Sequence, residues 1–287
     1  MEILQFLILP FIASLILTGI HAYLGVHVVE RGVIFVDLAL AQIAALGATM
    51  AILIGMDPHG TASYWMSLGF TFIGALIFSF VRSKQKRIPL EAFIGITYAV
   101  ASAAAIIAMS KATGETEHLK DMLVGNILAV SRHDVIKTAI LYGGIGLFHF
   151  IFRRKFLAIS MQHDSAESLG INVRLWDFLF YASFGFVVTS SVAIAGVLLV
   201  FCYLVVPCVG AMLFADRIGT RLAIGWTMGT LVSALGCWFS VQFDTPTGAT
   251  IVCTFGAVLV AMAAVKGLFF RVKEAQPVPV AAVTLKQ

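Results

Sequence analysis

The stretch Arg153–Arg174 reads RRKFLAISMQHDSAESLGINVR, and it is the longest polar stretch of the chain, with apolar blocks on both sides. Asp164 and Glu167 have the spacing of a capping box, in which side chains satisfy the first free N–H groups of a helix. Gly170 stands where a left-handed residue would end that helix, just after Ser168. The pattern predicts a short surface helix, which is either an ordinary loop between spans or a docking element for a cytosolic protein.

The composition identifies the class of protein. Hydrophobic residues make up 60% of the 287, charged residues only 12%, and the mean hydropathy is +0.98. Soluble domains carry about twice that charge, so we predict an all-α polytopic membrane protein. The four cysteines lie in apolar stretches without a C-x-x-C pair, which is typical of small buried residues. The N-terminus lacks a basic region and a cleavage site, and we expect a retained first span.

Apolar runs of about 20 residues predict eight or nine membrane spans in a single domain, residues 1–270. The stretch 176–215 is nearly continuous, so it predicts either one long broken helix or two spans. The composition of residues 271–287 predicts a disordered cytosolic tail. The predicted spans are 3–28, 33–56, 64–81, 89–110, 134–152, 175–193, 195–215, 218–241 and 248–270.

Lys and Arg residues predict the orientation, because they concentrate in cytosolic loops. If the stretch 153–174 is cytosolic, fifteen of the nineteen fall on that side. The other four are Lys111, Lys120, Arg132 and Lys137. We therefore expect nine spans in the cell membrane, with the N-terminus outside and the C-terminus in the cytosol. The net charge of +4 reflects this topology, and no basic stripe interleaved with aromatic residues indicates nucleic-acid binding.

Catalytic motifs are absent from the sequence. It has no G-x-x-x-x-G-K-[ST] loop for ATP, no H-E-x-x-H and no G-x-S-x-G. The remaining polar groups at membrane depth are few, and such groups usually face a bundle interior or an aqueous path. They are His21, His27, Asp37, Gln42, Glu91, His149 and Gln242.

Asp37 and Gln42 are the most informative of these groups, because small residues surround them and allow close helix approach. Five positions on a helix are about 140° apart, so the two cannot share one narrow stripe. Both could still border a central path. The alternatives are that Asp37 pairs with Arg31 at the cytosolic interface and that Gln42 hydrogen-bonds a neighbouring helix. His27, beside Glu30 and Arg31, is expected at the interface.

Six landmarks in order resemble the integral-membrane permease subunit of ABC importers for manganese, zinc or iron, over roughly residues 5–270. They are LGVHVVERGVIFVDLALAQIAALGA (24–48), PLEAFIGITYAVASAAA (89–105), DMLVGNILAVSRHDV (121–135), SMQHDSAESLGINVRLWDFLFY (160–181), GVLLVFCYLVVPCVGAMLFADR (196–217) and DTPTGATIV (244–252).

The resemblance implies the fold of type II ABC importers and a homodimer with a central path. It also implies a separate ATPase chain that docks on 153–174, and an extracytoplasmic protein that delivers the metal. The absent ATP loop fits this picture, and the chain itself would not be an enzyme. The metal is cargo, and no permanently bound cofactor is expected.

The second span departs from the family, whose members usually carry Asp and His four residues apart. Those positions hold Leu38 and Gln42 here, and Asp37 is one residue early, turned by about 100°. An amide is a weaker ligand than imidazole for these metals, so the cargo metal is not fixed by the resemblance. Asp37 and Gln42 remain the candidates for the path, with Asp37 the candidate metal ligand.

A second acidic segment lies on the predicted outer side, before LVGNIL. Glu115, Glu117, His118 and Asp121 form either a cation entry funnel, a contact face for the binding protein or a merely solvated mouth. Two classes of function remain: the permease of an ATP-driven importer, and an ATP-independent channel or secondary transporter for a small cation. A tightly held ATPase would distinguish them.

Overall fold

The computed structural model describes residues 2–57, 60–84, 89–110, 127–161 and 170–269. Within these ranges the chain forms nine α-helices, one 3₁₀ turn at Ile127–Ala129 and no strand. The helices are α1 Glu2–Glu30, α2 Val36–Leu53, α3 Thr61–Lys84, α4 Leu90–Met109, α5 Arg132–Ile151, α6 Arg153–Met161, α7 Val173–Met212, α8 Ile218–Phe243 and α9 Thr247–Phe269.

Eight of these helices are long and apolar enough to cross a membrane, and the exception is the nine-residue α6. The prediction of an all-α polytopic membrane protein is therefore confirmed. Helix α6 lies inside the stretch predicted as polar surface, yet its Phe156, Ile159 and Ser160 are buried. The polar stretch thus begins as an amphipathic helix packed onto the bundle.

Helix α7 resolves the ambiguous stretch 176–215. It is 40 residues long, about 60 Å if straight, which is twice the hydrocarbon thickness of about 30 Å. Gly196 breaks it, with φ 76° and ψ 160°, one residue from the predicted boundary. Only glycine adopts this conformation without strain.

The two halves of α7 run in opposite directions along α1. Before the break, Asp177 and Phe180 contact Arg31 and His27, so the first half is antiparallel to α1. After it, the backbone at Leu204 lies against Gly25 of α1, and Arg221, shortly after the end of α7, pairs with Glu30 at the end of α1, so the second half is parallel to α1. The chain therefore reverses at Gly196, and each half packs as a separate segment.

Small residues let the helices of the bundle approach closely. A Cβ added at Gly47 of α2 would lie 2.9 Å from the Cα atom of Ser67 on α3, and the Ser67 hydroxyl donates to the Ala44 carbonyl at 2.8 Å. One at Gly74 would lie 2.6 Å from Ile43. The small residues of α2 thus form the tight helix contact that their composition predicts.

One end of the bundle gathers the ends of α1 and α6 and the start of α7. Arg31, just after α1, pairs with Asp177, and Arg221 at the start of α8 pairs with Glu30. At the opposite end, Tyr64 hydrogen-bonds Ser190, and the Lys137 ammonium lies 5.0 Å from its ring. This grouping agrees with the predicted charge partition, and which end faces the cytosol stays a prediction.

Candidate functional site

Asp37 occupies the first turn of α2 and is 2% exposed. Its Oδ1 atom has no hydrogen-bond partner among the described residues. The nearby Phe35 ring stacks on Phe201 of α7, with 6.1 Å between the ring centres. The candidate ligand thus lies where α2 meets the second half of α7, with one oxygen open.

Gln42 lies one turn and a half further along α2 and is 9% exposed. Asp37 and Gln42 cannot share one narrow stripe of the helix, yet both are buried, as are thirteen of the eighteen residues of α2. Helices α3, α4 and α7 pack around it. A helix enclosed on several sides can present two polar groups to different neighbours.

The proposed pairing of Asp37 with Arg31 is not found between these two described side chains. The Arg31 guanidinium instead binds the Asp177 carboxylate at 2.6 Å, and both side chains are essentially fully buried. Its Nε atom donates to the Ser160 hydroxyl at 2.8 Å, and its carbon lies 4.0 Å from the centre of the Phe180 ring. Arg31 therefore contacts α6 and α7, and it does not pair with Asp37.

His27, which the sequence places near the membrane interface beside Glu30 and Arg31, lies in the last turn of α1, and its depth in the membrane stays a prediction. The side chain is fully buried, and its Nδ1 atom lies 2.8 Å from the Ser160 hydroxyl. The interior position follows from α6, which covers this part of α1. We call the group His27, Arg31, Ser160, Asp177 and Phe180 the Arg31 cluster.

His149 at the end of α5 adjoins the Arg31 cluster. Its Nε2 atom hydrogen-bonds the Ser183 hydroxyl at 2.8 Å, and its ring stacks on Phe156 of α6 at 4.2 Å with planes 8° apart. Phe156 also meets the Trp176 ring edge-on at 5.3 Å. Helix α6 is therefore fixed to the bundle by stacked rings as well as by Ser160.

Sequence reasoning missed Asp177, Ser160 and Ser183. A signal for Asp177 was available, because a lone carboxylate in the apolar run RLWDFLFY must find a partner if that run is buried. Serines in apolar helices carry no comparable signal, since they also bond their own backbone carbonyls. Among the other polar groups predicted at membrane depth, Glu91 accepts from the Ile34 N–H at 3.0 Å, a contact between α4 and the turn before α2.

Of the four candidate coupling residues, only Gly170 lies within the described part of the chain. Gly170 has φ 72°, which confirms the left-handed position that its place in the sequence predicts. Asp164, Glu167 and Ser168 lie outside the described residues, as do the entry candidates Glu115, Glu117, His118 and Asp121. Their predicted roles stay predictions.

A preformed metal cage is not found in the described part of the chain. No three His, Cys, Asp or Glu side chains there come together as metal ligands. Asp37 offers a carboxylate and Gln42 an amide oxygen, ligands suited to a hard or borderline divalent cation.

Comparisons with known proteins identify the family of the chain. A family model described as the ABC 3 transport family matches residues 3–266. The manganese transport system membrane protein MntC of Halalkalibacterium halodurans is 29% identical over 245 residues, 84% of this chain and 80% of that protein. A probable iron transport system membrane protein of Haemophilus influenzae is 23% identical over 248 residues, 86% of each.

A solved structure shares the fold. PsaBC from Streptococcus pneumoniae in complex with Fab superposes with a TM-score of 0.75 at 23% identity, covering 91% of this chain and 94% of that one. The family match spans nearly the whole chain, and the apolar helices form one bundle of the same architecture. The chain is thus a multi-pass membrane permease and belongs to the ABC 3 transport family.

Proposed function

We propose that this chain is the permease subunit of an ATP-driven importer that moves a divalent transition metal, manganese, iron or zinc, into the cytosol. The observation that carries the proposal is the family match over residues 3–266. The names of the relatives, which are manganese and iron transport proteins, support the class of cargo. The chain would be a transport subunit and not an enzyme.

A separate ATPase would supply the energy, because the sequence has no ATP-binding loop of the usual kind. We place its docking site on residues 153–174. The firm seating of α6 supports this, since a docking segment can transmit force only if it is fixed to the helices that move. The left-handed Gly170 supports a defined turn at the other end of the segment.

An extracytoplasmic binding protein would deliver the metal to the opposite end, where Glu115, Glu117, His118 and Asp121 are the contact or entry candidates. Two copies of the permease would enclose the path. We place Asp37 and Gln42 along it because intramembrane polar groups are costly and usually mark an ion route. The open Oδ1 atom of Asp37 supports this placement.

Reconstitution tests the proposal. The permease is purified together with its ATPase and placed in liposomes, and ATP hydrolysis and metal uptake are measured with the binding protein and Mn²⁺, Fe²⁺ or Zn²⁺. We expect the ATPase to co-purify and one of these metals to stimulate hydrolysis. Uptake without ATP and without a bound ATPase would instead identify an ATP-independent channel or secondary transporter.

A further inference from the structure

We propose that Arg31 is a positioning residue that transmits the movement of α6 to the start of α2, where Asp37 lies. The inference rests on the proposed docking of an ATPase at residues 153–174. It concerns how a movement outside the membrane reaches the candidate path within it. Three sets of contacts carry it: those to α6, those to α7 and those in the turn after α1.

The first contact joins Arg31 to α6 through a single hydroxyl. Ser160 is 6% exposed, and its Oγ atom accepts from Arg31 Nε at 2.8 Å and lies 2.8 Å from His27 Nδ1. Both partners belong to α1 or follow it directly. A shift of α6 must therefore either move these two side chains or break two buried hydrogen bonds.

The second contact joins Arg31 to the first half of α7. A different guanidinium nitrogen, NH1, binds Asp177 Oδ1 at 2.6 Å, and the face of the group lies over Phe180. A planar guanidinium holds its N–H groups in a fixed fork, so the two partners cannot move independently of each other. Arg31 thus links α6 and α7 rigidly in the bundle interior.

The third contact is covalent, because Arg31 stands in the turn between α1 and α2. Its own N–H donates to the His27 carbonyl at 3.0 Å, and the next residue, Gly32, has φ 64°. The Val33 N–H donates to the Val28 carbonyl at 3.1 Å, and this hydrogen bond closes the turn. Asp37 follows six residues after Arg31, so a displaced guanidinium pulls on a short, hydrogen-bonded link to the path.

A second ion pair at the same end provides a matched control. Arg221 on α8 pairs with Glu30, the last residue of α1, and its side chain is 12% exposed. This pair lies one residue from Arg31 in the sequence, yet it joins α1 to α8 and not to α6. Its loss should disturb the same end of α1 without interrupting the proposed link.

The test compares Ser160→Ala with Arg221→Gln in the reconstituted complex. We measure co-purified ATPase, ATP hydrolysis and metal ions transported per ATP. Ser160→Ala cuts the tie to α6 and leaves the buried ion pair intact. We expect ATPase binding and hydrolysis near wild-type levels and a fall of about tenfold in ions per ATP, within the range of coupling mutations. Arg221→Gln should leave ions per ATP unchanged.

A second variant keeps the test decisive if Ser160→Ala is tolerated poorly. Arg31→Met combined with Asp177→Leu replaces a buried ion pair by apolar groups of similar size, a change that folded proteins often accept. A folded double variant with the same loss of ions per ATP supports the inference. Wild-type values in both variants, or an equal loss in Arg221→Gln, overturn it. A wild-type permease that holds no ATPase overturns the proposed function and this inference with it.

Discussion

Asp37 and Asp177 are two buried aspartates of the same bundle, and their surroundings differ in kind. Asp177 is 0% exposed and binds the Arg31 guanidinium at 2.6 Å. Asp37 is 2% exposed, and its Oδ1 has no partner among the described side chains and backbone groups. Equal burial therefore does not mean equal surroundings: one carboxylate is paired with a guanidinium inside the protein, and the other has an oxygen atom without a hydrogen-bond partner among the described residues.

The energetics of burial explain why the two should respond differently to mutation. A buried charge is costly, and removal of its partner leaves that cost uncompensated. The charges of Asp177 and Arg31 compensate each other, so we expect the pair to stabilise the fold and to form part of the proposed link. Asp37 has no such partner in the described bundle, and a passing metal ion would supply the compensation.

The largest expected effect is the loss of stability in Asp177→Asn. The change leaves the Arg31 guanidinium buried beside a neutral amide, which should cost about 3–5 kcal/mol in the free energy of unfolding. We expect the detergent-solubilised permease to have a lower thermal midpoint. The midpoint is measured by size-exclusion chromatography of samples heated to a series of temperatures. Arg221→Gln, at the more exposed ion pair, should cost below about 1 kcal/mol. An unchanged midpoint in Asp177→Asn would contradict the pairing.

Asp37→Asn should show the opposite pattern. The change keeps the shape of the side chain and removes a charge that the bundle does not compensate, so stability should stay unchanged or rise. Metal uptake by the reconstituted complex should be almost abolished, while expression and ATPase binding stay normal. Little loss of uptake, or a loss that only follows lower expression, would show that Asp37 does not border the path.

Gln42→His should change which metal is carried. An imidazole binds manganese, iron and zinc more strongly than an amide oxygen does. If Gln42 borders the path, the variant should alter the competition between these metals or retain one of them. Uptake assays with competing metals measure this. If both Asp37→Asn and Gln42→His keep wild-type uptake and selectivity, the second span does not line the path.

Gly170→Val should have a modest effect on stability and a clear one on docking. A side chain in the left-handed region costs about 1–2 kcal/mol, and an added Cβ meets no atom within 4 Å, so the strain is conformational. We expect membrane insertion to persist while co-purified ATPase and uptake fall. Gly219→Val is the control, because that helical glycine is equally open. Normal ATPase binding by Gly170→Val would contradict the assignment of the docking site to residues 153–174.

The class of fold could be predicted from the sequence because membrane insertion depends on local hydrophobicity. Runs of about 20 apolar residues predict spans whatever lies elsewhere in the chain. The break in 176–215 also has a local cause, because it depends on the backbone conformation of a single residue, Gly196. The same holds for Gly170, whose left-handed φ follows from its place at the end of a polar segment.

The partners of the charged groups could not be predicted in the same way. Arg31 and Asp177 are 146 positions apart, and the nearer carboxylate of Asp37 offered the simpler pairing. The amphipathic character of α6 was hidden because its polar residues dominate the composition of 153–174. The burial of His27 was hidden for the same reason, since nothing near it in the sequence reveals that α6 covers it.

The sequence by itself therefore determined that the chain is a helical membrane protein, roughly where its apolar spans lie, and which family it resembles. The tertiary structure alone decided that Arg31 binds Asp177, that Ser160 joins α6 to α1, and that Asp37 keeps an open oxygen. The physical reason is the range of the forces involved. Hydrophobic insertion sums over neighbouring residues, whereas compensation of a buried charge depends on which distant helices pack against it.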